Sequence, residues 1–157
     1  MAHLLAPQRS LPTLPVFFNV DGVVGAQPAQ NSREDVLFVQ FAFTVIAKSP
    51  QPDASLQFKQ AVSAVKLTGL ADAETVNAII ATQQETQSRS GGQSGTVVDG
   101  RVSPAKAGYS YGVGFYTIVH LNESIQGRHT KLWPRIDQIP GCPAELQQMV
   151  IRTVQGT

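Results

Sequence analysis

The stretch that most constrains this chain runs from Val36 to Ala47, VLFVQFAFTVIA, where Gln40 and Thr44 are the only polar residues. A helix that is apolar on almost every face has to be buried, so this segment is expected to form the central core element. Ser32 stands before it as an N-cap, with its hydroxyl expected on the Asp35 amide. Glu34 and Asp35 put negative charge at the positive end of the helix dipole. Pro50 and Pro52 cannot continue the helix, which should therefore stop at Lys48. The run is too short to cross a bilayer.

A second legible unit is KLTGLADAETVNAIIATQQ, residues 66–84. The Thr68-Gly69 turn leads to Asp72, which can cap a helix over residues 73–86, with Val76, Ile79 and Ile80 as its buried stripe and Gln83 one turn further on. Asp21-Gly22 and Asp99-Gly100 are related glycine turns. Residues 16–20 read as a short strand and residues 53–67 as mixed extended structure, on the alternation of Leu56 and Phe58. Residues 88–95, SRSGGQSG, read as a flexible loop. From 115 to 126 the shared face of Phe115, Ile118, Val119 and Ile125 favours a helix with Gly127 as its C-cap, and the β-branched content keeps a strand reading open. Trp133-Pro134 is expected to anchor the loop at 128–141. A last helix should run from Pro143 to about Val154, with Leu146, Met149 and Val150 inward.

The expected fold is mainly α, a small helical bundle in one domain. Residues 1–14 would be an extended arm, 15–108 the helical core, and 109–157 a C-terminal elaboration with long loops and a terminal helix. Charged residues make up only 15% of the chain, against roughly 25% in soluble domains, while 13 glycines and 10 prolines call for many turns. A formal net charge of +1 with no basic run argues against nucleic acid as a partner. The first residues, MAHLLAPQRSLPTLP, lack the pattern of a secretory leader, so a cytoplasmic product is expected, exported if at all by a dedicated machine or carried in a virion.

Few residues invite a catalytic reading. Cys142 is the only cysteine, which excludes an intrachain disulfide and a multi-thiolate zinc site. Its nearest histidines, His120 and His129, belong to no nucleophile motif, and a buried or capping thiol is the plainer reading. His3, His120 and His129 lack metal-ligand spacing. Gly112 and Gly114 form a lone G-x-G without the acidic partner of a dinucleotide site. Tyr109, Tyr111, Phe115 and Tyr116 could stack on a sugar or a partner, or simply anchor their loop. No enzyme activity and no cofactor is expected.

Several of these elements together resemble a known family, the small three-helix peptidoglycan-binding modules. Val36-Leu37-Phe38-Val39-Gln40 is similar to the family's V-x-x-L-Q helix, and the segment from Thr68 to Thr75 to its first D-G-x-x-G-P-x-T turn. Ala78-Ile79-Ile80-Ala81-Thr82-Gln83 is similar to the A-V-x-x-F-Q helix, and the segment from Asp99 to Pro104 to the second turn. The likeness covers residues 33–105 and departs at Thr68, Asp72-Ala73, Thr82, Ser103 and Lys106. It implies a non-catalytic module that holds cell-wall peptidoglycan and targets a larger protein or machine, with Gln40, Thr75, Gln83, Asp99 and Arg101 as ligand-binding candidates. Each of these five sits beside a turn or helix end, where a capping role explains it equally well. The alternative use of the same scaffold is a structural or adaptor subunit of a phage-tail-like or contractile secretion assembly, with protein subunits as partners. The low charge, the proline-rich arm and the long tail point that way.

Overall fold

The computed structural model describes residues 3–5, 17–89, 91, 97–105 and 116–155. They form a mainly helical fold of five α-helices and two short two-stranded ladders. Helix α1, Arg33–Lys48, runs through the centre, and every residue from Asp35 to Phe43 along it is buried. It packs on α2 (Leu56–Ser63), α4 (Thr117–Arg128) and α5 (Ala144–Gln155), while α3 (Ala73–Arg89) packs on α2. Strand β1, His3–Leu5, pairs antiparallel with β2, Phe17–Asn19, with Leu4 opposite Phe18, so the described part of the N-terminal arm is held by the chain itself. Strand β3, Val24–Gly25, pairs antiparallel with β4, Arg101–Val102.

Phe17, Phe18, Phe38, Phe41 and Phe43 are fully buried, and Trp133 meets the Phe18 ring edge-on at 5.7 Å. Trp133 thus anchors its loop as expected. The loop also holds a short 3-10 helix, Ile136–Gln138, whose Ile136 enters the core. Helix α5 starts at Ala144, where Pro143 accepts the first helical bond from the Gln147 amide, and it buries Leu146, Met149 and Val150.

Several local expectations need correction. Residues 56–63 are a helix, capped by the Ser55 hydroxyl on the Phe58 amide at 3.2 Å. The Leu56/Phe58 alternation misleads because Leu56 faces solvent, 69% exposed, and the inward face is Phe58, Val62 and Val65 at helical spacing. Helix α3 continues through Ser88 to Arg89, and its buried side is Thr75, Ala78, Ile79, Ala81, Thr82 and Gln83, with Val76 and Ile80 only half-buried. Residues 117–128 are helical, and the helix passes through Gly127 to cap at His129. Ser32 occupies the N-cap position of α1 but makes no side-chain bond to the helix, and the Asp35 carboxylate accepts the Gly22 amide of the first glycine turn. The remainder of the expected 88–95 loop beyond Arg89 and Gly91, together with Tyr109, Tyr111, Gly112, Gly114 and Phe115, lies outside the described residues.

The first and third turns are locked together at Gly25. Its φ of 125° lies where side chains are disfavoured, and a Cβ there would overlap the Gly100 carbonyl, which accepts a bond from the Ala26 amide at 3.0 Å. Gly25→Ala is expected to cost roughly 2 kcal/mol or more in urea unfolding, whereas Gly127→Ala, in the last turn of α4 and facing open space, should leave stability equal or higher.

Candidate functional site

Two of the three glycine turns are held by the same device. At the first of these, the Gln40 carboxamide reaches from α1 to the turn. Its Oε1 accepts the Gly69 amide at 2.9 Å, and its Nε2 points to Thr68 Oγ1 (3.0 Å), the Leu70 carbonyl (2.9 Å) and Thr75 Oγ1 (2.9 Å). At the other, the Gln83 carboxamide reaches from α3. Its Oε1 accepts the Asp99 and Gly100 amides at 3.1 and 3.0 Å, and its Nε2 points to Asp99 Oδ1 (3.1 Å), the Arg101 carbonyl (2.9 Å) and Thr117 Oγ1 (3.2 Å).

The correspondence is residue by residue. Each glutamine oxygen takes the glycine amide, and each nitrogen takes the side-chain oxygen before the glycine and the carbonyl after it. Each nitrogen also reaches a threonine hydroxyl at the start of the helix after the turn, and Gln83 in addition accepts the amide before its glycine. Thr68 stands where Asp99 stands, and each supplies an oxygen to the amide two residues on, Leu70 at 3.2 Å and Arg101 at 3.0 Å. Gly69 and Gly100 share φ values of 73° and 71°, which only glycine adopts without strain. Both lie buried, where an unpaired amide would be costly.

Of the five ligand candidates, Gln40, Thr75 and Gln83 are buried, and Asp99 and Arg101 sit on the third turn. The structure gathers them into two clusters, one per turn, and their polar groups bond other groups of the chain. Thr75 also donates to Asp72 Oδ1 at 2.6 Å, and the same oxygen accepts the Thr75 amide, so Asp72 caps α3 as expected. Arg101 spans to the neighbouring loop, donating to the Ala26 and Gln27 carbonyls at 3.0 and 2.6 Å. Burial raises the Asp72 carboxyl, but bonds from Thr75 and from the Thr68 hydroxyl outweigh it and hold the group below its ordinary value.

Three further buried polar groups do similar work that sequence reasoning missed. The Asp35 carboxylate accepts the Asp21 and Gly22 amides of the first glycine turn at 3.4 and 3.1 Å, and burial pushes its pKa upward. Asn122 of α4 brackets Phe18, accepting its amide at 2.6 Å and donating to its carbonyl at 2.8 Å, and Asn19 brackets Ala105 with two bonds of 2.9 Å. The available signal was an isolated amide in an apolar setting, as in FFNV.

Other chemistry finds little support. Burial pushes the Cys142 thiol up to about 12, the opposite of what a nucleophile requires, and among the described residues it makes a long contact to the Pro143 carbonyl at 3.8 Å. Among the described residues no group of three His, Cys, Asp or Glu side chains comes together as a metal-ligand set, and no helix is long and apolar enough to cross a membrane. Tyr116 packs against the core.

Open depressions remain on the surface. One follows the hairpin of α2 and α3, about 400 Å³, and continues into a smaller hollow of about 200 Å³ past Gln57 and Gln84. Its rims are the exposed carboxamides of Gln57, Gln60, Asn77 and Gln84, none of which bonds another described residue, over a floor of Ala61, Ala64 and Ala81. Another, about 360 Å³, opens between α1, α3 and α4, and one of about 460 Å³ adjoins it past His120, Ser124 and Arg128, with Glu123 on its lining. Comparison of the chain with family models, curated proteins and solved structures gives no match.

Replacing Gln83 with Leu should cost roughly 2–5 kcal/mol in urea unfolding, because buried amides at Asp99 and Gly100 lose their acceptor. Gln40→Leu should cost a similar amount, and exposed Gln84→Leu less than about 0.5 kcal/mol. Since Asp72 titrates below its ordinary 3.8 in the folded chain, its contribution is complete above that value and is lost as pH falls through the lower folded pKa. Urea midpoints measured from pH 5 to pH 2 should therefore fall less steeply in Asp72→Asn than in the wild type.

Proposed function

We propose that the chain is a non-catalytic peptidoglycan-binding-like module that attaches a larger protein or machine to the cell wall. The observation that carries this reading is the duplicated clasp. The family it resembles is recognised by glutamine-ended helices, V-x-x-L-Q and A-V-x-x-F-Q, each followed by a glycine turn. Here Gln40 and Gln83 end the matching motifs and fasten the matching turns with one geometry. The departures from the family pattern fit the same plan, since Thr68 supplies the oxygen that an aspartate supplies at the other turn.

In this reading the motif residues build the scaffold, and the ligand lies elsewhere. The α2–α3 groove is the better seat. Free carboxamides donate and accept at once, as sugar hydroxyl and acetamido groups require, and the alanine floor lets a flat chain lie close. The groove's exposed rims also make its residues replaceable without damage to the core.

A second reading, an adaptor subunit of a phage-tail-like or contractile assembly, is favoured by Leu67 and Leu70. These two leucines flank the Gly69 turn and stand 37% and 67% exposed, which suits a protein contact. Size-exclusion chromatography with light scattering separates the two, since a plain monomer that co-purifies with no partner speaks against the adaptor.

Purified, protein-free sacculi should retain the wild-type chain on sedimentation. Gln60→Ala combined with Gln84→Ala should weaken retention roughly tenfold, through the loss of about two hydrogen bonds, with an unchanged thermal midpoint. If the wild type stays in the supernatant, the cell-wall reading fails.

A further inference from the structure

The cleft between α1, α3 and α4 has a different character from the carboxamide groove. One wall is a face of α4, with His120, Ser124 and Arg128 four residues apart, and the apolar floor is Ile46, Ala54 and Phe58. Arg128 is half-buried and held by neutral groups alone, with Nε on the Ser49 carbonyl at 2.7 Å and Nη1 on the Ser124 carbonyl at 3.0 Å. A guanidinium has five N–H donors, so three remain unspent, both of those on Nη2 among them.

Of the other described arginines, Arg33, Arg89, Arg135 and Arg152 each pair with a carboxylate, at 2.9, 3.0, 2.7 and 3.2 Å, while Arg101 is held by the Ala26 and Gln27 carbonyls. No described carboxylate pairs with Arg128. Across the cleft, Glu85 accepts from the Ser55 hydroxyl at 2.6 Å and lies 3.6 Å from Arg89, whose closer pair is Asp53 at 3.0 Å, which leaves Arg128 as the guanidinium of the cleft that pairs with no described carboxylate. Burial lowers the Arg128 pKa, which marks the cost of holding its charge there without an anion.

We propose that this cleft binds the terminal carboxylate of a short peptide with small apolar side chains, seated on Arg128. A carboxylate matches the fork of a guanidinium in a two-point contact, and the Ser124 hydroxyl, bonded to no described residue, stands beside it as a further donor. Ile46, Ala54 and Phe58 receive methyl-sized side chains. Gln51 and Thr86 bring a carboxamide and a hydroxyl to the walls, which a peptide group uses and a plain aliphatic acid does not. One guanidinium on an apolar floor suits a monoanion better than a phosphate dianion. At about 360 Å³ the space is at the lower end of small-ligand sites, roughly 300–1,000 Å³. The cleft shares Phe58 and Glu85 with the far end of the amide-rimmed groove but none of that groove's four carboxamides, so the Gln60 and Gln84 variants test the glycan reading with Arg128 and Ser124 left in place.

The test is a titration of the full chain, followed by NMR, with three probes: N-acetyl-Ala-Ala as the free acid, the same dipeptide as its C-terminal amide, and hexanoate. The acid should saturate with shifts confined to residues around 46, 54, 120, 124 and 128, and the amide and hexanoate should bind at least tenfold more weakly. Arg128→Lys keeps the charge but not the fork, and should weaken the acid about tenfold. Ser124→Ala, which leaves both Arg128 carbonyl contacts in place, should weaken it severalfold with an unchanged thermal midpoint. Equal affinity for acid and amide overturns the carboxylate assignment even if no variant folds. Hexanoate binding as tightly as the dipeptide overturns the peptide assignment, and no shift with any probe overturns the site.

Discussion

Glycine turns that are driven into the interior carry main-chain amides to places where neither helix nor ladder can pair them. Gly69 and Gly100 are such places: both are buried, both have positive φ, and each amide would be stranded without a side-chain acceptor. Everything else in this fold depends on how those amides are met. A carboxamide answers best, since it accepts the glycine amide with one end and donates to the adjoining carbonyl with the other, imitating a peptide group. Placed on α1 and α3, the two glutamines convert loops into fixed parts of the core, and the same logic extends to Asp35 at the first turn and to Asn19 and Asn122 beside β2.

This arrangement accounts for the unusual composition. With two ladders of two or three residue pairs and long connecting segments, the fold cannot be held by sheet hydrogen bonds. It is held by a central apolar helix and by polar side chains that stitch loops to helices. Buried charge is nearly absent apart from Asp35, so a chain with 15% charged residues loses little by folding this way. Two of its ion pairs, Arg33 with Glu145 and Arg152 with Glu34, lie at the surface between α1 and α5, where solvent screening leaves such pairs weak. They orient the last helix; its burial of Leu146, Met149 and Val150 supplies the adhesion.

The legible part of the sequence was the part governed by local rules. Helix α1 declared itself by its apolar run and by Pro50 and Pro52, α3 by Asp72, and the glycine turns by their dipeptides. Gln40, Thr75, Gln83, Asp99 and Arg101 were picked out through the family resemblance, and the structure places them in two hydrogen-bonding sets in which Gln40, Thr75 and Gln83 come from helices and Asp99 and Arg101 from the third turn. Illegible were contacts between distant residues. Nothing near Asn122 says that it will bracket Phe18, 104 positions away. Helix α2 was missed because Leu56, one of its few large apolar residues, points outward, and with α2 unread the groove of Gln57, Gln60, Asn77 and Gln84 could not be assembled. The Arg128 cleft was hidden for a similar reason, since its floor and wall come from four separate helices and loops.

The account's central claim, that buried carboxamides fasten the glycine turns as firmly as the core itself, is open to native-state hydrogen exchange followed by NMR. The Gly69 and Gly100 amides and the Gln40 and Gln83 side-chain amide protons should exchange as slowly as the main-chain amides of Phe38 and Phe41 at the centre of α1, through the same global opening. Exchange of these groups at the rate of exposed loop amides, while Phe38 and Phe41 stay protected, would contradict it.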